Sequence, residues 1–108
     1  MIRALFDERG GKLRLCVNGH AEYSESGSDI VCAAISGMFY SLLGYLLECH
    51  KDTMSIGSIE HGYAELYCPR EAKENLKQTC IGFLQVEYNY PDCIEVANRL
   101  WQDGFCDA

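Results

Sequence analysis

The sequence predicts a single α+β domain in which two helices pack against one mixed or antiparallel sheet. Three observations carry this. Segments of apolar–polar alternation come in pairs across glycine turns, two longer segments have a helical period, and 108 residues suit one core. The elements follow in the order ββαββαβ. Residues 1–97 form the domain and residues 98–108 a C-terminal tail, with no internal repeat, linker or low-complexity segment.

"IRALF" sets Ile2, Ala4 and Phe6 against Arg3 and Leu5, as a half-buried strand does. "DERGGK" is a turn in which Gly10 and Gly11 are free to take positive φ. "LRLCVN" resumes the alternation, with Leu13, Leu15 and Val17 on one face and Arg14, Cys16 and Asn18 on the other. This hairpin stops at Gly19-His20. "AEYSESGS" is a polar loop, and Ser28 or Asp29 can cap the helix behind it by accepting from exposed backbone N–H groups. That helix, about Asp29 to His50, is apolar nearly all round, so it should be covered on more than one side. Its lining should include Val31, Ile35, Met38, Leu42 and Leu46. Gly37 and Gly44 are placed to let another helix approach, and a second copy of the chain is one source of cover.

"TMSIGSIEHGYAELYC" reads as a second hairpin turning at His61-Gly62. Pro69 suits the first position of a second helix, which runs from Arg70 to about Tyr88. Ala72, Leu76, Cys80, Phe83 and Val86 or Glu87 form its inner face, with Lys73, Glu74 and Lys77 outward. Tyr90-Pro91 ends it, and "CIEVA" forms the last strand. In the tail, Leu100, Trp101 and Phe105 are available for packing or for dimer contacts.

Composition narrows the function. With 48% apolar residues and mixed charge the chain is globular. Its net charge of −7 argues against a nucleic-acid partner, whose phosphates draw on Lys and Arg, and favours a basic peptide or protein. The seven cysteines, at 16, 32, 49, 68, 80, 93 and 106, form no Cys-x-x-Cys pair. "MIRALFDERG" puts charges where a secretory leader needs an apolar run. A cytoplasmic protein with mostly free thiols is therefore expected. The uncharged run from Ile30 to Leu47 has 18 residues, near a membrane-spanning length. Its Ser36, Ser41, Gly37 and Gly44, its missing cationic flank and the strands on both sides favour a core helix, with no membrane partner. Three dispersed histidines and no paired carboxylates give no metal site or other cofactor.

Chemistry concentrates at His20 and Cys32. Near a helix start, unpaired N–H groups and the positive end of the dipole favour a thiolate, the nucleophile that acyl transfer needs. A strand–loop–helix joint can bring His20 within reach to hold the proton and return it to the leaving amine. Gly19 would let the backbone turn or leave room for substrate. Asp29, Cys32 and Ser36 share a helix face. Asp29 is placed to orient His20, to stabilise its imidazolium, or to cap the helix. Ser36 can bond near the sulfur or back to the Cys32 carbonyl. Free N–H groups around Val31 to Cys32 offer an oxyanion hole. On residue types alone a cysteine such as Cys32 is more often a core thiol and His20 more often a turn or strand-end residue, here on the Arg14 side of its strand. Cys49-His50 sits at a helix C-terminus, where the dipole disfavours a thiolate, and His61 is explained by its turn.

At these residues, "GHA" from Gly19 to Ala21 and "SGSDIVCAAIS" from Ser26 to Ser36, the chain resembles the ribosomal-processing cysteine protease family (Prp). The resemblance extends over roughly Met1 to Ala97. It implies Cys32 as nucleophile and His20 as general base and acid, with Gly19, Asp29 and Ser36 in support. It implies a substrate loop made of Glu22, Tyr23, Ser24, Glu25, Ser26, Gly27 and Ser28. It further implies a homodimer that removes the N-terminal extension of a bacterial large-subunit ribosomal protein, L-twenty-seven, during ribosome maturation. Glu22, Glu25 and Asp29 would make the rim acidic, so KM for a basic peptide should rise with salt. The competing reading is a non-catalytic dimeric module that binds a ribosomal protein tail. A thiol redox protein would need a resolving cysteine at short spacing.

Overall fold

The computed structural model describes residues 1–19 and 28–106, with residues 28 and 29 as backbone only. Strands β1 (Ile2–Arg9) and β2 (Lys12–Asn18) form an antiparallel hairpin running from Arg3 opposite Asn18 to Arg9 opposite Lys12. Gly10 and Gly11 have φ of +61° and +81°, the pair of left-handed residues that matches a two-residue turn to the strand twist. Helix α1 (Ser28–Cys49) follows, then β3 (Ser55–Glu60) and β4 (Tyr63–Cys68), a 3-10 turn (Arg70–Ala72), α2 (Lys73–Asn89) and β5 (Ile94–Asn98). The order is the expected ββαββαβ. The five strands lie β3-β4-β2-β1-β5, antiparallel throughout except for the parallel pair of β1 with β5, so the sheet is mixed.

One sheet face carries the core. Ile2, Ala4, Phe6, Leu13, Leu15 and Leu66 bury against Val31, Ile35, Phe39, Leu42 and Leu46 of α1 and against Leu76, Cys80 and Phe83 of α2. Phe6 meets Phe83 edge-on, with ring centroids 5.4 Å apart. The α1 stripe differs from expectation by one residue, Phe39 in place of Met38. Met38 lies at its flank, reaching α2, where a Cβ on Gly82 would stand 2.4 Å from the Met38 sulfur. The close helix–helix approach is thus made at Gly82. Gly37 and Gly44 have nothing within 4 Å of an added Cβ.

Among the described residues α1 is covered on two sides, as expected, by the sheet and at its Met38 flank by α2, but a third side stays open. Ile30, Tyr40 and Leu47 remain 60%, 64% and 44% exposed, because α2 packs on the Met38 flank and leaves the opposite face bare. By length and apolarity alone α1 could cross a membrane, yet its Val31-to-Leu46 stripe shares the core of the sheet. Beyond β5 the tail packs back on the domain. Asn98 Oδ1 accepts from the N–H groups of Leu100 and Trp101 at 3.1 and 2.9 Å, and Trp101 enters the core. Lys77 donates to the Phe105 carbonyl at 2.8 Å.

Candidate active site

Cys32 is the fifth residue of α1 and is half-buried. With Ser36, one turn further on, it faces a cavity of about 450 Å³. The sheet end supplies the floor through Ile2, Val17 and Ala64, and Phe39 and Tyr40 form the helix wall. Gly19 lines the same cavity at the end of β2. Its φ is +98°, and a Cβ there would lie 2.2 Å from the Met1 carbonyl oxygen, so only glycine fits. Its N–H donates to the Gly62 carbonyl at 2.8 Å, which ties β2 to the β3–β4 turn. Strand alternation ends at this glycine, so an argument from side-chain parity cannot pass it to His20.

The structure therefore brings Gly19, Cys32 and Ser36 together. His20 and the loop residues Glu22, Tyr23, Ser24, Glu25, Ser26 and Gly27 lie outside the described residues, as do the side chains of Ser28 and Asp29. Ser28, expected to close the loop, is the first residue of α1. That start also corrects the expected oxyanion hole. A helix opening at Ser28 commits the Cys32 N–H to the Ser28 carbonyl, so the unpaired amides belong to the preceding turn.

Sequence reasoning missed the far wall, formed by Ile59, Glu60, His61, Gly62 and Tyr63 of the second hairpin. His61 is a turn residue, as expected, but the turn reaches the site. β4 pairs with β2 in a register that puts Tyr63 opposite Asn18, which carries the turn to the Gly19 end. The hairpin itself was legible, whereas its non-local pairing with β2 was not. His50 accepts or donates at the Tyr45 hydroxyl, 3.1 Å away, and holds the end of α1 instead of activating Cys49.

Environment also separates the thiols. Burial pushes Cys68 and Cys80 up to about 12 and raises Cys16, which disfavours all three as nucleophiles. Cys93 is buried, and the exposed Cys49 and Cys106 do not line the cavity. Cys32 combines access with a concave site.

The sheet face away from the helices carries a polar cluster in place of a plain solvent face. Arg14 makes a two-pronged pair with Asp7 at 2.7 and 2.8 Å and reaches Glu65 at 3.4 Å. Tyr63 donates to Glu65 at 2.8 Å, and this bond holds the carboxyl below its ordinary range. The Cys16 thiol sits against the same carboxylate at 3.6 Å. Gly57, at a bulge in β3, makes room for Glu65, whose Oε1 would lie 1.9 Å from a Cβ. The cluster fixes β4, and through Tyr63 it fixes the cavity wall.

The chain is similar in fold to an essential ribosomal processing protease Prp from S. aureus in complex with a substrate peptide, at 21% identity and TM-score 0.75. The match covers 92% of this chain and 100% of that one. The same S. aureus protease with a covalently linked product peptide matches at 22% identity and TM-score 0.74, over 92% and 100% of the two chains. SMU.848 from Streptococcus mutans matches at 26% identity and TM-score 0.71, over 91% and 93%. Among curated proteins none matches at a significant level. The model of the Cysteine protease Prp family matches residues 1–95, which include the cavity, its thiol and all five cavity-wall residues of the second hairpin. This chain belongs to the Cysteine protease Prp family, and its activity is that of a cysteine protease.

Proposed function

We propose that this protease removes the N-terminal extension of the large-subunit ribosomal protein L-twenty-seven in the cytoplasm, with Cys32 as nucleophile and His20 as base and acid. The observation that carries the reading is Cys32 on the wall of a cavity whose other side is Gly19, the residue before His20. The Cys32 sulfur attacks the scissile carbonyl while its proton passes to His20. His20 returns that proton to the leaving amine, and a thioester remains on Cys32. Water, deprotonated by His20, then releases the extension as a carboxylate. Asp29 orients His20, Ser36 supports the sulfur side, and the 22–28 segment covers the bound peptide. The S. aureus relatives bound to substrate and product peptides support a peptide substrate for this chain.

A homodimer suits the bare side of α1. Ile30, Ala33, Gly37, Tyr40, Gly44 and Leu47 are all exposed and recur at intervals of three and four, an uncharged seam on an acidic chain. Two such seams, antiparallel about a two-fold axis, set Ile30 opposite Leu47, Ala33 opposite Gly44 and Gly37 opposite Tyr40.

The test uses a synthetic peptide spanning the junction of the extension and the mature protein, with products read by mass spectrometry. Wild type should cut at the junction, and Cys32→Ser and His20→Ala should each lose about 10³-fold or more in kcat/KM. Iodoacetamide near neutral pH should label Cys32 first of the seven thiols, and more slowly in His20→Ala. A peptide bound but left intact by wild type, with Cys32 no faster than Cys49 or Cys106, would overturn the assignment in favour of a binding module.

A further inference from the structure

We propose that the substrate's extended segment is held as an added strand on the open edge of β3, which leads it into the Cys32 cavity. This inference rests on the protease reading above. The sheet has two outer strands, and they differ. On β5 the Val96 N–H already donates to Glu87 Oε2 at 2.7 Å, so that edge is closed by a side chain of α2. On β3 five of the six residues are exposed, and the strand contains neither the Lys nor the Pro that blunts an edge.

The direction of the free groups follows from the turn. Glu60 and Tyr63 flank the two-residue turn and form its hydrogen-bonded pair, so the next pair, Ile59 with Ala64, turns the N–H and C=O of Ile59 away from β4. Beyond the Gly57 bulge the same alternation turns out the groups of Ile56, opposite Leu66. Among the described residues nothing bonds to these outward groups. The bulge also keeps the side chains of Ile56 and Ile59 on the helix side of the sheet, where both are about half exposed. Ile59 and Glu60 belong to the cavity wall, so the edge and the cavity are continuous. An extended peptide gains main-chain bonds at such an edge and places alternate side chains toward α1. Glu60 at the cavity end favours a segment that carries a cation.

Amide hydrogen exchange by NMR on Cys32→Ser, with and without the junction peptide, tests this. At saturation the Ile59 and Ile56 amides should slow by about tenfold or more, and those of Ser58 and Glu60, already paired with β4, much less. N-methylation along the peptide should raise KM for wild type at alternate positions only. Normal cleavage of the parent peptide with Ile59 exchange unchanged and no alternation overturns the inference and leaves the protease reading standing. Ile59 protection that depends on protein concentration without peptide also overturns it, by placing a second copy on the edge. No cleavage of the parent peptide by wild type overturns both.

Discussion

Gly19→Ala probes the joint between fold and site. At φ +98° a residue with a Cβ costs about 1–3 kcal/mol. The added carbon would also stand 2.2 Å from the Met1 carbonyl oxygen. An ordinary carbon–oxygen contact is about 3.3 Å, so the backbone must give by about 1 Å. Both clashing atoms' surroundings are backbone, so no flexible side chain can absorb the shift. Movement away from Met1 strains the 2.8 Å bond to the Gly62 carbonyl, worth about 1 kcal/mol. The expected total is about 2–4 kcal/mol, and each kcal/mol lowers Tm by about 4–8 °C in a domain of this size. Gly19 borders the cavity next to the proposed base, so the displacement should also lower kcat/KM by about 10²-fold. Thermal unfolding and junction-peptide cleavage, on one preparation, read both. A variant with wild-type Tm and wild-type kcat/KM would refute the reasoning. A stable variant without activity would place the cost in the site alone.

Glu65→Gln tests the polar cluster, whose Arg14, Asp7 and Glu65 side chains are only 11%, 16% and 14% exposed. The Tyr63 hydrogen bond, aided by Tyr67, Cys16 and Arg14, holds the folded-state carboxyl below the unfolded value of about 4.3. Its contribution is therefore complete above that value and is lost as pH falls through the lower folded value. Urea midpoints should drop for wild type below about pH 4, whereas the variant should be about 1–3 kcal/mol weaker at neutral pH with a shallower acid limb. Parallel pH profiles would remove the cluster from the stability argument. Gly44→Glu tests the seam, because its Cβ meets nothing within 4 Å in a single chain. Sedimentation at micromolar concentration should show a dimer for wild type and a monomer for the variant, with the monomer still folded. A wild-type monomer, or a dimer that survives the charge, excludes this seam.

Much of this protein was legible in its sequence because it is local. Alternation fixed β1 and β2, paired glycines fixed their turn, and the helical period fixed the inner face of α2. Cys32 and Ser36 were legible as one helix face, since four residues make about one turn. The one-residue error on α1 has the same origin, because a helix apolar nearly all round gives a weak phase. Only tertiary packing put Phe39 in the core and Met38 on the flank against Gly82.

Tertiary structure decided what depends on strands far apart in sequence. The Arg14, Cys16 and Glu65 neighbourhood exists because β2 pairs with β4, and no local pattern reports that register. The same pairing brings Glu60 and His61 to the cavity and leaves β3 with an unpaired edge. The necessity of Gly19 is likewise tertiary: glycine beside histidine reads as a turn, but the Met1 carbonyl that excludes every other side chain arrives from the residue that leads into β1. By itself the sequence determined the elements, the family and the thiol proposed as nucleophile, because each is encoded within a few turns or strand residues. The cavity, its second wall and the open edge needed the fold, because they are made by contacts between segments that no periodicity connects.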